Sequence, residues 1–198
     1  MLHWTLLEDG VMDNSKRLFI GFPLGVDISG IIDMLKTTIN FPDCVRWTFG
    51  RKLHLTLIYI GQLNSDKAAL LTEKFNNTDF MDQFEIGLDY TGIFPEEGPP
   101  RVFWLGMNDG EKKIISLHKT TAALLNECGI LFDTRTFKPH LTLGRAKRNK
   151  KAEKIDSEMF LNAVFSPVRF RVKSVHLYSS ELLPEGAKYT SLAEVKLK

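Results

Sequence analysis

Histidine at position 54 is followed two residues on by threonine, and the same tetrapeptide, His-Leu-Thr-Leu, returns letter for letter at 140–143, 86 residues later (54 to 140). Imidazole has an unperturbed pKa near 6.5, so it can give or take a proton close to neutrality. A threonine hydroxyl donates and accepts hydrogen bonds. In an extended segment residues i and i+2 share a face with Cα atoms about 6.5 to 7 Å apart, so each copy presents one imidazole and one hydroxyl side by side. With this chain's composition two independent copies have a chance expectation on the order of 10⁻⁵, which makes internal duplication the better explanation. Two such strands facing each other across a pseudo-twofold cleft would oppose His54 to His140, with Thr56 and Thr142 between them. A cyclic or bridging phosphodiester needs that set: a base for the attacking group, an acid for the leaving oxygen, and donors for the phosphoryl oxygens.

Two blander readings stand beside this one. A lone strand histidine is usually a hydrogen-bonded core residue, and duplication is what argues otherwise here. A two-histidine metal site is the second rival. Against it, the chain holds no HExxH, no acidic residue at motif spacing and no cysteine cluster to complete a coordination shell. His118 and His176 have no matched partner and read as structural or surface residues, and Trp4, Trp47 and Trp104 read as packing residues, Trp47 being the one nearest a motif.

The elements that must position the motifs follow from period and punctuation. Strands are expected over 18–24, 45–49, 53–60, 84–90, 101–107, 140–144, 168–178 and 189–197. Helices are expected over 26–39, with Val26, Ile28, Ile31, Ile32, Leu35 and Ile39 at helical spacing, over 65–75, with Ala69, Leu70, Leu71 and Phe75 inward, and over 114–125, stopped by Gly129. A short one is expected over 152–161. Several neighbouring strands are joined by loops too short for helical crossovers, so the expected class is α+β with mainly antiparallel sheet.

Composition bounds the partners. Of 198 residues 43% are hydrophobic and 25% charged, enough for a real core, and 26 basic against 24 acidic residues leave a net charge of only +2. A global field that gathers nucleic acid is excluded; a local basic patch is not. Cys44 and Cys128 form no CxxC pair and suit a reduced, cytoplasmic setting. No run reaches the 18 apolar residues of a membrane span. Residues 1–11, which carry Glu8 and Asp9 and no basic start, do not read as a signal peptide; they are taken as an extension, an over-extended gene start or an arm, ahead of a domain over 12–198.

Further blocks accompany the motifs: RLFI at 17–20, Trp47, HLTLIYIG at 54–61, PRVFWLG at 100–106, FKPHLTLGR at 137–145, and Ser180-Glu181-Leu182 with Gly186 and Tyr189. With them the chain resembles the two-histidine phosphoesterase superfamily, and within it the RNA 2′,3′-cyclic phosphodiesterases also known as 2′-5′ RNA ligases. The resemblance runs from Arg17 through nearly the whole chain. It implies two pseudo-symmetric lobes of mainly antiparallel sheet with helices outside and a cleft between, and chemistry needing neither metal nor cofactor. It further implies His54 as the acid for the ribose 3′ oxygen, His140 as the base for water, Thr56 and Thr142 on the phosphate, Arg145 gripping it, and Tyr59 stacked under the nucleobase. The substrate would be RNA or an oligonucleotide ending in a 2′,3′-cyclic phosphate, the product a 2′-phosphate, with reversible 2′-5′ ligation as a side activity. No membrane and no obligate protein partner is implied, and the protein is expected to be a monomer.

Strict strand alternation opposes part of this. Arg145 and Tyr59 each lie five positions after their histidine, on the other face, unless a twist or bulge at Gly144 or Gly61, or the end of the strand, brings them back. The run Arg145, Lys147, Arg148, Lys150, Lys151 reads first as a solvated loop and second as a track for RNA backbone. A non-catalytic RNA or nucleotide binding module on the same fold is the alternative function. A small cyclic nucleotide or ADP-ribose cyclic phosphate is the alternative substrate.

Overall fold

Short apolar runs broken by Pro, Gly and Asn become strands, and the longer amphipathic stretches between them become helices that cover one face. The computed structural model describes residues 15–184 and 186–198, so the extension over 1–11 and Trp4 lie outside the described residues. In chain order the elements are β1 (Lys16–Pro23), α1 (Ser29–Lys36), β2 (Val45–Trp47), β3 (His54–Leu63), α2 (Ser65–Asn76), β4 (Phe84–Phe94), β5 (Val102–Asp109), α3 (Glu111–Glu127), β6 (Leu141–Ala146), α4 (Glu158–Leu161), β7 (Val168–Val172), β8 (Ser174–Leu183) and β9 (Gly186–Lys196). One sheet runs β7-β4-β5-β6-β3-β1-β8-β9 with β2 added on β6. Neighbours are antiparallel throughout, which bears out the α+β reading. The two motif strands, β3 and β6, are the central pair, and each carries its own half of the sheet outward.

Helix ends show why the local readings succeeded. Asn64 caps α2, its side chain accepting from the Lys67 amide at 2.9 Å. Gly129, at φ +60, closes α3 with the Ile130 amide donating to Leu125 and its own amide to Asn126, the paired bonds of a left-handed helix stop. α3 buries Ile114, Leu117, Thr121, Leu124 and Leu125. On α2 the inward face is Ala68, Leu71 and Phe75, rotated from the expected one, with Leu70 exposed. Val26 is likewise exposed.

Two expected elements are divided. The strand over 168–178 is two strands: β7 pairs with β4, while β8 pairs with β1 in the other half of the sheet. The buried residues shift phase there, from Phe170 and Val172 to Val175 and Leu177. That one-residue slip around Lys173 is where the chain changes partner. The segment over 152–161 is a single 3-10 turn over 152–154 and then α4. Between them the Asp156 carboxylate accepts from the Glu158 amide at 3.0 Å, a local bond that competes with continuing the helix.

Gly21 shows how closely β1 and β3 approach. A Cβ placed there would lie 2.3 Å from the Leu55 carbonyl oxygen, which is backbone and cannot turn away. Gly21→Ala is therefore expected to lower stability by about 1–3 kcal/mol, as overpacking does, read from the shift of the denaturant midpoint at unchanged m-value.

Candidate active site

The site is built around one backbone pair. β3 and β6 meet through Leu55 and Leu141. In an antiparallel ladder the flanking residues match crosswise, so His54 lies across from Thr142 and Thr56 across from His140. Leu55, Leu57, Leu141 and Leu143 are buried on the helix side, whereas His54, Thr56, His140 and Thr142 are part exposed on the other face. A pseudo-twofold axis through the leucine pair exchanges the two motifs, as the repeat predicts.

The imidazoles are held alike. Nδ1 of His54 lies 2.8 Å from the Lys52 carbonyl oxygen, and Nδ1 of His140 lies 2.8 Å from that of Lys138. A carbonyl only accepts, so Nδ1 carries the proton and Nε2 keeps its lone pair in the neutral ring. Each ring rests on aromatic side chains, His54 on Phe19 (4.9 Å between centroids) and Tyr189 (4.8 Å), His140 on Phe94 (5.0 Å) and Trp104 (5.9 Å). Burial is the main reason both imidazoles titrate below the ordinary histidine value; the two carbonyl bonds oppose it, and the Arg145 charge adds to it at both rings. The charge on His140 also acts on His54. Among the described residues the Thr56 and Thr142 hydroxyls bond nothing in the protein, whereas those of Thr72, Thr91 and Thr121 reach backbone carbonyls at 2.7, 2.6 and 2.8 Å.

The same device in both halves resolves the problem of the fifth residue. Between β1 and β3, Ile20 pairs with Ile58 but Gly21 with Thr56, leaving Leu57 over. Between β5 and β6, Phe103 pairs with Gly144 but Trp104 with Thr142, leaving Leu143 over. Each bulge buries two successive residues, Leu57-Ile58 and Leu143-Gly144, and returns Tyr59 and Arg145 to the cleft side. The bulge in β6 lies beside Gly144 as one alternative allowed; β3 has one at Leu57, which turns Tyr59, and a second at Ile60, beside Gly61 but beyond Tyr59.

A cavity of about 830 Å³ opens over this face, and His54, Thr56, Tyr59 and Arg145 line it. Its walls include six cationic residues, Arg17, Arg46, Lys52, Arg145, Lys147 and Arg148, and, among the described residues, no carboxylate. A chain of nearly balanced charge thus carries a concentrated local field for an anion. Tyr59 is exposed, with the Arg17 guanidinium 5.9 Å from its ring centroid. His140 and Thr142 are not among the walls. Across from Thr56 stands Gly21, without a side chain, but across from Thr142 stands Trp104, and its ring with Phe94 covers the His140 side.

Trp104 is packed as expected, whereas Trp47 lines the cavity while its Nε1 donates to the Pro42 carbonyl at 3.1 Å. His118 stacks on Phe137, and His176 bonds the Ser174 and Ser191 hydroxyls, both structural roles. Sequence reasoning missed Arg46 and Lys52. Lys52 had a signal, because lysine precedes both histidines by two residues and the repeat is Lys-x-His-Leu-Thr-Leu. Arg46 had none, since only the pairing of β2 with β6 brings it here. Among the described residues no three His, Cys, Asp or Glu side chains come together to hold a metal ion, and no helix is long and apolar enough to cross a membrane.

A duplicated antiparallel α+β fold whose central strands carry two carbonyl-anchored imidazoles and two unpaired hydroxyls on one face, beside a cationic cleft, defines the class of two-histidine phosphoesterases. The chain belongs to the 2′-5′ RNA ligase superfamily, whose family model matches residues 46–182. It is 28% identical over 181 residues to the RNA 2′,3′-cyclic phosphodiesterase of Archaeoglobus fulgidus, covering 89% of this chain and 97% of that protein. To the RNA 2′,3′-cyclic phosphodiesterase of Aeropyrum pernix it is 34% identical over 146 residues, covering 72% and 81%. Among solved structures, that of TT0787 of Thermus thermophilus superposes with TM-score 0.71 at 25% identity, covering 91% of this chain and 97% of that one. The apo structure of Escherichia coli LigT shares the fold, with TM-score 0.71 at 24% identity over 93% and 98%.

Proposed function

We propose that this protein is an RNA 2′,3′-cyclic phosphodiesterase that works by a His54/His140 acid-base pair, as a cytoplasmic monomer and without a cofactor. The observation that carries the reading is the matched pair of imidazoles, each fixed through Nδ1 to a carbonyl and each left with a free Nε2 beside an unpaired threonine hydroxyl. A pure binder needs donors for phosphate but no matched proton acceptor and donor. The curated relatives named for this activity support the substrate class.

In this reading His140 takes a proton from water as the water oxygen bonds to phosphorus, the bond from phosphorus to the ribose 3′ oxygen breaks, and protonated His54 gives its proton to that oxygen. The product is a 2′-phosphate. Thr56, Thr142 and Arg145 donate to the phosphoryl oxygens, and Tyr59 carries the base. A 5′-hydroxyl in place of water yields a 2′-5′ linkage through the same transition state.

The test is incubation of the protein and EDTA with an oligonucleotide ending in a 2′,3′-cyclic phosphate, followed by identification of the terminal phosphate. Conversion to the 2′-phosphate supports the proposal. No turnover of any cyclic phosphate would leave the binding module, and turnover abolished by EDTA would bring back the metal reading.

Two residue roles are testable alongside. Arg145→Lys is expected to be harmful, because an ammonium keeps the charge but loses the planar fork that can hold two phosphoryl oxygens; a fully active variant would return Arg145 to a surface charge. Tyr59→Phe should be nearly silent, and Tyr59→Ala should weaken nucleotide affinity by about 1–3 kcal/mol, as titration calorimetry of each variant would read.

A further inference from the structure

A second cavity, of about 750 Å³, adjoins the first, and Arg145, Ala146 and Arg148 are walls of both. The two therefore form one groove running past the end of β6. Arg101, Lys150 and Glu153 line only the second part. The basic run after the second motif is not the freely solvated loop expected from its composition. The Lys147 amide donates to the Cys44 carbonyl at 2.7 Å, the Ala146 amide to the Arg101 carbonyl at 3.0 Å, and the Ala152 amide to the Asn149 side chain at 2.8 Å. The backbone that carries the cations is thus anchored at Ala146, Lys147 and Ala152.

Their arrangement is repulsive as it stands. Arg46 and Arg145 are directly paired across β2 and β6, with Val102 across from Arg145 on the other side and Arg101 next to it. Like charges across an antiparallel pair cost stability. Among the described residues Arg46, Arg145, Lys147, Arg148 and Lys150 make no ion pair, and the Glu153 carboxylate, the acidic group in the second cavity, sits 3.9 Å from Arg101. A cationic track with a single carboxylate, paired to Arg101, against its several cations suits a polyanion with regularly spaced charges.

We infer that the second cavity is a subsite for the phosphodiester on the 5′ side of the terminal nucleotide, and that the substrate is accordingly an oligonucleotide rather than a cyclic mononucleotide. The inference rests on the proposed reading of the first cavity. A 2′,3′-cyclic phosphate caps the 3′ end of a chain, so the rest of the RNA leaves through the 5′ oxygen of that nucleotide. With the cyclic phosphate at His54 and Arg145, the groove shared through Arg145 and Arg148 leads that chain to Arg101 and Lys150, while Glu153 limits how tightly Arg101 can hold it.

The experiment compares a 2′,3′-cyclic mononucleotide with a short oligonucleotide ending in the same nucleotide, in the wild type, Arg101→Ala/Lys150→Ala and Glu153→Gln proteins. In the wild type kcat/KM should favour the oligonucleotide by about tenfold or more. The double variant should lose that advantage and keep the mononucleotide rate within about twofold, and Glu153→Gln should increase the advantage. The dependence of log affinity on log salt for the 2′-phosphate oligonucleotide should become shallower by about 0.7 for each phosphate that the variant no longer engages. Equal turnover of the two substrates by the wild type, or equal loss on both in the double variant, would overturn the subsite. If the wild type turned over neither substrate, the function reading would fall, and the salt slopes and affinities for the two 2′-phosphates would still decide the groove.

Discussion

His54→Ala and His140→Ala are each expected to lower turnover by on the order of 10² to 10⁴, the range proton transfer by a positioned side chain contributes. Nucleotide affinity should largely survive, because the cations and Tyr59 remain. Folding should survive too, since each ring's hydrogen bond within the protein is to a carbonyl near the cleft. The double variant should be little worse than either single one, as groups acting as a unit are not additive. Multiplicative losses would mean independent roles, and near wild-type turnover in either single variant would remove the pair. The pseudo-twofold symmetry makes the two rings alike, so the roles are separated by chemistry. A substrate whose leaving group needs no proton, such as a nitrophenol ester, should partly rescue the variant lacking the acid, His54, but not the one lacking the base. Rescue of His140→Ala instead would reverse the assignment.

The rate is expected to trace a bell in pH, falling about tenfold per unit on each limb, because only the state with His54 protonated and His140 neutral is productive. The free protein fixes where the bell for kcat/KM lies. Burial first, with the Arg145 charge added, holds both imidazoles below the ordinary value despite their carbonyl bonds. Lowered values mean that both rings are already neutral at pH values where a solvated histidine is half charged. The acid form of His54 is then scarce above that point. The optimum of kcat/KM should therefore lie on the acid side of about 6.5, below the neutrality that unperturbed imidazoles alone would suggest. In the complex the bound phosphodiester adds negative charge beside both rings and favours their protonated forms, so the bell for kcat should move to higher pH. The limbs are properties of the coupled pair. A kcat/KM optimum well above neutrality, or a rate without a bell, would sink the pair as acid and base; an EDTA-insensitive bell with the two displacements above would support it.

What the sequence determined by itself is what repeats or punctuates. The doubled His-Leu-Thr-Leu located both histidines of the proposed pair and the strands that hold them, because a two-residue spacing on a strand has one geometric consequence. Gly129 marked the end of α3, since a left-handed stop acts within a turn of the chain. The phase slip between Val172 and Val175 was also written there, although its meaning, a change of strand partner, was not. Tertiary structure alone decided the rest. Bulges at Leu57 and Leu143 depend on the neighbouring strands, β1 and β5, so no spacing rule could bring Tyr59 and Arg145 to the cleft. Arg46 joins Arg145 through β2, from a distant part of the sequence. The charge of the cleft is the clearest case: a chain with net charge +2 gathers six cations around one cavity, because composition sums over the surface while a field depends on which side chains the fold brings together.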